Sequence, residues 1–232
     1  MSNWCYRLTR AGVRVVAAPF VRLHVWRVPG AVELSGAAVL VANHISHFDP
    51  GFLTCAFERT IDWMTTEEFY ANPLGAAWLR AVDTFPVNRS RPDHRALRLG
   101  VERLRAGRWV GMFPDGGIRA GATSILGGVV PKKGASALAR LADAPIIPCV
   151  IFGSDRLYAS RTWRPGPPRT PVWVGIGAPF SVSSLKEEEA NVRLAEALRE
   201  VGAVMIAHFG LGPDDLPATP QRRKGREARS TA

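Results

Sequence analysis

The chain alternates short apolar runs with amphipathic stretches, and that alternation lays out most of its elements. Residues 38–42 read Ala-Val-Leu-Val-Ala, a run with no polar position, which is the pattern of a strand covered on both faces. Residues 61–65, 109–113, 146–152 and 172–176 predict four further strands, and 85–87 a short extended piece. Over 92–105, Leu97, Val101 and Leu104 stand at helical spacing with arginines elsewhere, and Gly107 closes the segment. Helices are also expected over 72–82, 134–141 and 185–208. Asp49-Pro50 predicts an N-cap followed by proline at the first helical position, with the helix running toward Phe57. Strands regularly separated by helices predict an α/β domain with a largely parallel sheet flanked by helices. Ligand sites in such sheets gather where strands end, which directs attention to the residues after Ala42 and after Phe113.

The two ends break the pattern. Residues 1–32 carry Arg7, Arg10, Arg14, Arg22 and Arg27 and no acidic residue. Arg7, Arg10 and Arg14 fall on one helical stripe, while Trp4, Cys5, Leu8, Val15, Val16 and Phe20 spread over the other side. Residues 1–27 therefore predict a basic amphipathic helix, kinked at Pro19, lying in a membrane interface with arginines toward lipid phosphates. A helix packed on the protein's own core is the other reading. Residues 28–211 form the expected α/β domain, and 212–232, poor in apolar residues, a disordered basic tail.

Composition narrows the partners. At 232 residues, with 47% hydrophobic and 22% charged positions, the chain suits one globular domain. Its net charge of +10 favours anionic partners. The basic stretches lack the interleaved aromatics of a single-strand binding platform, so nucleic acid is disfavoured. Cys5, Cys55 and Cys149 are too scattered for a disulfide framework, and no zinc-type spacing occurs, so no metal or cofactor is expected. No uncharged apolar stretch reaches the ~18–20 residues of a spanning helix, and the N-terminal arginines interrupt any secretory layout.

Candidate chemistry sits in four loops. After the 38–42 strand comes Asn43-His44-Ile45-Ser46-His47-Phe48-Asp49. Across a strand-to-helix turn, His44 and Asp49 can meet; a carboxylate on one ring nitrogen fixes the tautomer and leaves the other to accept a proton. Asp49 could equally serve only as a helix cap, and His47 competes with His44 for the role of base. The second loop, Phe113-Pro114-Asp115-Gly116-Gly117-Ile118-Arg119, pairs a freed backbone with a guanidinium able to grip phosphate. Arg89 ends the third, Phe85-Pro86-Val87-Asn88-Arg89, and Lys132-Lys133 precede a helix N-terminus in the fourth. No G-x-S-x-G elbow, P-loop or dinucleotide fingerprint is present, which removes serine-hydrolase and nucleotide-binding readings.

In order and spacing, these blocks resemble the glycerolipid acyltransferases of the 1-acyl-glycerol-3-phosphate acyltransferase type. That family carries N-H-x4-D, matched by Asn43-His44 through Asp49, then a phenylalanine-to-arginine block, matched by Phe85 through Arg89. Its third block, F-P-E-G-T-R-S, is altered here: Asp115 replaces glutamate and Arg119 sits one position late. Ala144-Pro145-Ile146-Ile147-Pro148 resembles the fourth, a proline-bounded strand. The resemblance implies direct transfer of a fatty-acyl group from acyl-CoA or acyl carrier protein to the hydroxyl of a lysophospholipid, with 1-acyl-glycerol-3-phosphate the expected acceptor. His44 would be the base and Asp49 its orienting partner. Asn43, Arg89, Asp115, Gly116, Gly117, Arg119, Lys132 and Lys133 would hold substrate. It also implies a peripheral or monotopic protein at the cytoplasmic face of an anionic membrane. Another glycerolipid or an aminolipid acceptor is the alternative within that class, and a lipid hydrolase and a non-catalytic membrane-binding protein are the rivals from other classes.

Overall fold

The computed structural model describes residues 4–32, 34–166 and 168–224. In chain order these form α1 (Trp4–Ala17), β1 (Val21–Arg27), β2 (Ala38–Ala42), α2 (Asp49–Ala56), β3 (Ile61–Thr66), α3 (Pro73–Ala81) and β4 (Phe85–Val87). There follow α4 (His94–Arg105), β5 (Trp109–Met112), α5 (Gly134–Ala142), β6 (Ile146–Phe152), β7 (Thr170–Ile176), α6 (Glu187–Phe209) and α7 (Pro220–Arg223). Seven strands make one sheet in the order β1-β7-β6-β2-β5-β3-β4. Every neighbouring pair is parallel except β6 with β7. The largely parallel α/β fold is as the sequence pattern predicts.

The central strand shows why the fold has three layers. Successive side chains of a strand face opposite sides of a sheet. Val39 and Val41 of β2 enter the apolar cluster beneath α4, α5 and α6, with Leu138, Leu194 and Leu198. Ala38, Leu40 and Ala42 enter the opposite cluster, with Phe52 and Leu53 of α2. All five β2 residues are buried, so their backbone polar groups are satisfied by β5 on one side and β6 on the other. β2 thus projects its C-terminal end rigidly from the middle of the molecule.

Both ends differ from expectation. The N-terminal helix stops at Ala17, and residues 21–27 are not its continuation but an edge strand paired in parallel with β7. Of the arginine stripe, Arg10 donates to the carbonyls of Phe57 (2.9 Å) and Glu58 (2.8 Å), and Arg14 to that of Cys55 (2.8 Å). They cap the C-terminal carbonyls of α2, where cations are favoured. Trp4, Leu8, Val15 and Val16 are left exposed. The expected disordered tail is ordered as far as Lys224: Arg156 pairs with Asp215 at 2.6 Å, and Arg223 with Asp155 at 2.6 Å. Residues 225–232 of that tail lie outside the described residues, as do 1–3 of the N-terminal segment.

Candidate active site

The site is built at the C-terminal end of β2. Asn43 is buried, and its side chain donates to the Ile151 carbonyl (3.0 Å) and accepts from the Ile151 N–H (2.8 Å). Its amide thereby mimics one further rung of the β2–β6 ladder and fixes where the next residue leaves the sheet. That next residue is His44. Its Nδ1 lies 2.9 Å from Asp49 Oδ2. The same oxygen accepts from the backbone N–H of Ile45 (2.7 Å) and Ser46 (2.8 Å). Asp49 Oδ1 accepts from Ser46 Oγ (2.9 Å) and Ser154 Oγ (2.5 Å). Asp49 is fully buried, and the oxygen that faces His44 already accepts from two backbone N–H groups. His44 therefore donates from Nδ1, and Nε2 carries the free lone pair.

Asp49 begins α2 but does not cap it: the helix is preceded by Phe48, with no side-chain cap. The carboxylate turns back onto the 44–46 loop, so the cap expected from the sequence gives way to a clamp on His44.

The loop after β5 braces the histidine from the other side. The Phe113 ring stacks on the His44 imidazole with centroids 4.2 Å apart, and Trp63 stacks on Phe113 at 5.0 Å. His44 N–H donates to Asp115 Oδ2 (3.1 Å), and Ile125 N–H donates to Asp115 Oδ1 (2.9 Å). Arg119 N–H donates to the His44 carbonyl at 2.8 Å. Burial pushes the Asp115 carboxyl upward, and these two amides and the nearby His44 and Arg119 work against that. Asp115 and the Arg119 backbone are thus struts for the His44 main chain.

A cavity of about 1190 Å³ opens at this point. Its lining includes His44, Arg89, Gly116, Gly117, Lys132 and Lys133 from the sequence-derived set, together with Arg91, which sequence reasoning passed over. The Lys132 stem lies against Gly116, where a Cβ would come within 3.1 Å of its Cε, and Gly116 also has a φ of +69°. Elsewhere the lining is mainly apolar, with Tyr6, Val13 and Val16 of α1, Phe52 of α2 and Leu79 of α3. The volume exceeds the ~300–1,000 Å³ usual for a compact ligand site and suits a long chain. Lys133 is spoken for: it pairs with Glu187 at 2.6 Å, which raises its ammonium above the usual lysine range. Asn43 and Arg119 do not line the cavity.

Against this geometry, a family model described as Acyltransferase matches residues 25–152, more than half of the sequence. The chain belongs to the Acyltransferase family. The 1-acyl-sn-glycerol-3-phosphate acyltransferase of Bacillus subtilis (strain 168) is 29% identical over 93 residues, 40% of this chain and 44% of that protein. The protein of the same name from Streptococcus pneumoniae (strain ATCC BAA-255 / R6) is 25% identical over 151 residues, 64% of this chain and 52% of the other. The chain spans about half the length of the curated relatives it matches. The crystal structure of the 1-acyl-sn-glycerophosphate (LPA) acyltransferase PlsC from Thermotoga maritima superposes with a TM-score of 0.66. At 23% identity, over 87% of this chain and 79% of that one, the likeness is one of fold.

The Acyltransferase match covers the dyad, Arg89 and Asp115, and ends at Phe152, two residues short of Ser154. Ser154 was not singled out from the sequence, although the strand-end rule that found His44 also points beyond the buried 146–152 run. His47 departs from the dyad: its Nδ1 and N–H both meet Tyr158 Oη, at 2.5 and 3.0 Å. Burial, then the nearby His44, lowers its pKa.

Proposed function

We propose that this protein transfers a fatty-acyl group from a thioester, acyl-CoA or acyl carrier protein, to the free hydroxyl of a lysophospholipid, with 1-acylglycerol-3-phosphate as acceptor. The observation that carries the reading is the 2.9 Å His44–Asp49 contact at the wall of a large, mainly apolar cavity. In the reaction, His44 Nε2 takes the acceptor's hydroxyl proton as that oxygen attacks the thioester carbonyl. The new C–O bond forms, the C–S bond breaks, and the imidazolium returns the proton to the departing thiolate. Asp49 steadies the transient positive charge on the ring. No acyl-enzyme is needed.

Arg89, Arg91 and Lys132 line the same cavity and supply cations for an acceptor phosphate. The enzyme would work as a peripheral protein at the cytoplasmic face of an anionic membrane, seated by the exposed apolar face of α1. Leu74 and Trp78 of α3 extend that face, and Trp78 Nε1 donates to Thr9 Oγ1 at 3.3 Å. Among the described residues no helix is long and apolar enough to cross a membrane.

The test is a direct assay of purified protein with labelled acyl-CoA, a panel of lyso-acceptors and mixed vesicles. Phosphatidic acid formed only when acceptor is present supports the reading. Free fatty acid released at the same rate without acceptor would make it a hydrolase. Within that assay, Arg89→Ala and Lys132→Ala should each raise the acceptor KM about tenfold, with kcat changed less, the signature of lost ground-state binding. An unchanged KM in both would remove the phosphate from that rim.

A further inference from the structure

The hydrogen bonds around Asp49 divide unequally. Its Oδ2 is held by groups of its own loop, whereas Oδ1 depends on two hydroxyls, and one of them, Ser154, lies 105 residues away in sequence. Ser154 is fully buried and stands at the end of β6, as His44 stands at the end of the neighbouring β2. Gly153 makes this placement possible. It has a φ of +86°, and a Cβ there would strike the Pro171 carbonyl oxygen. The chain therefore turns sharply out of the sheet and aims the next side chain at the carboxylate.

The turn that begins at Ser154 is itself anchored from outside. Asp155, the following residue, is buried and accepts from Ala218 N–H (2.9 Å) and Arg223 Nε (2.6 Å), both from the C-terminal segment. Arg156 donates to the Asp214 carbonyl (2.9 Å) and to Asp215 Oδ1 (2.6 Å) of that segment. Thr219 caps α7 by accepting from Arg222 N–H, which sets Arg223 on a formed helical turn. Residues 212–224 thus grip the turn on its outer side, and Ser154 grips Asp49 on its inner side.

We propose that Ser154 is a positioning residue of the His44–Asp49 pair, fixing the second carboxylate oxygen, and that the 212–224 segment holds it in place. The proposal rests on the reading of His44 and Asp49 as the reacting pair. It assigns a role in the reaction to residues that the Acyltransferase match does not reach. Ser154 does not touch the substrate: it acts only through Asp49. Among the described residues, the ionisable or charged groups around the pair include His47, Asp115 and Arg119, the cations Arg89, Arg91, Lys132 and Lys133 that line the cavity with His44, and Tyr158, Asp155 and Lys224 beyond Ser154.

The experiment compares Ser154→Ala, Ser154→Thr and Ser154→Cys in the full chain. Removing the hydroxyl should lower kcat about 10- to 100-fold while KM for both substrates stays within about twofold, as expected when reacting groups lose alignment. A carboxylate stripped of one donor holds an imidazolium more strongly, so the acid limb of the kcat–pH profile should move up by about half a unit. The threonine variant should restore most of the rate. The cysteine variant keeps the volume with a weaker donor, so it should fold and reproduce the displacement even where alanine unfolds. Asp155→Asn and Arg223→Ala should move kcat in the same direction by less.

An unchanged kcat, or equal losses in all three Ser154 variants with the acid limb unmoved, would overturn the positioning role. Wild-type rates and profiles in Asp155→Asn and Arg223→Ala would overturn the part given to the C-terminal segment. The titration midpoint of the His44 ring resonances, followed by NMR without substrate, should shift in Ser154→Ala whatever the reaction is. A shift there in a protein with no thioester turnover would reject the acyl-transfer reading and leave the positioning role standing.

Discussion

His44→Ala is expected to lower acyl transfer from acyl-CoA to lysophosphatidic acid by about 10²–10⁴-fold, the range set by removing a general base. The fold should persist, because the imidazole is partly exposed and its removal leaves the main-chain struts from Asp115 and Arg119 in place. Circular dichroism and thermal unfolding check the fold, and the acceptor-dependent assay checks the rate. Asp49→Asn sharpens the same prediction. An amide can keep its oxygen toward His44 Nδ1, Ile45 N–H and Ser46 N–H and turn its NH₂ toward the serine hydroxyls, which can rotate to accept. Geometry and tautomer then survive while the charge is lost, so a folded protein with a rate reduced about a hundredfold or more is expected. Near-normal turnover in His44→Ala would dismiss this histidine as the base.

The second large effect concerns α1. Trp4, Leu8 and Val15 are 68%, 61% and 72% exposed, so replacing all three with glutamate removes little from the core. Each such side chain is worth about 1.5–3 kcal/mol when it leaves water for an apolar phase. Partial insertion of three, together with the added negative charge, predicts a fall of about 10²–10³-fold in partition onto anionic vesicles. Co-sedimentation measures it. Turnover of a short-chain, water-soluble acceptor should be little changed, because none of the three residues lines the cavity. Vesicle binding equal to wild type would reject α1 as the seat on the membrane.

Much of the fold was legible because its strands are buried on both faces and therefore spell uninterrupted apolar words. The two misread segments lack that property. Residues 21–27 form an edge strand whose alternation of Val21, Leu23 and Val25 with Arg22 and His24 is present in the sequence but was absorbed into a run of basic residues. Residues 212–224 bury little and are ordered by ion pairs to Asp155 and Arg156, a kind of order that hydropathy does not register. In the site, the dyad was legible from its spacing. The tasks of Asn43 and Asp115 were not, because a polar side chain serving its own backbone looks in sequence like one kept for a ligand.

A mechanical consequence follows from how α2 is held. Asp49 is its first residue, and Arg10 and Arg14 grasp the carbonyls at its far end, only about 12 Å away at the rise of an α-helix. A rod that short does not flex. If α1 seats on lipid as proposed, any tilt imposed on it would be handed through α2, like a force along a lever, to the oxygen that orients His44. On the proposed reading, contact with a surface and readiness for reaction would be two ends of one stiff linkage.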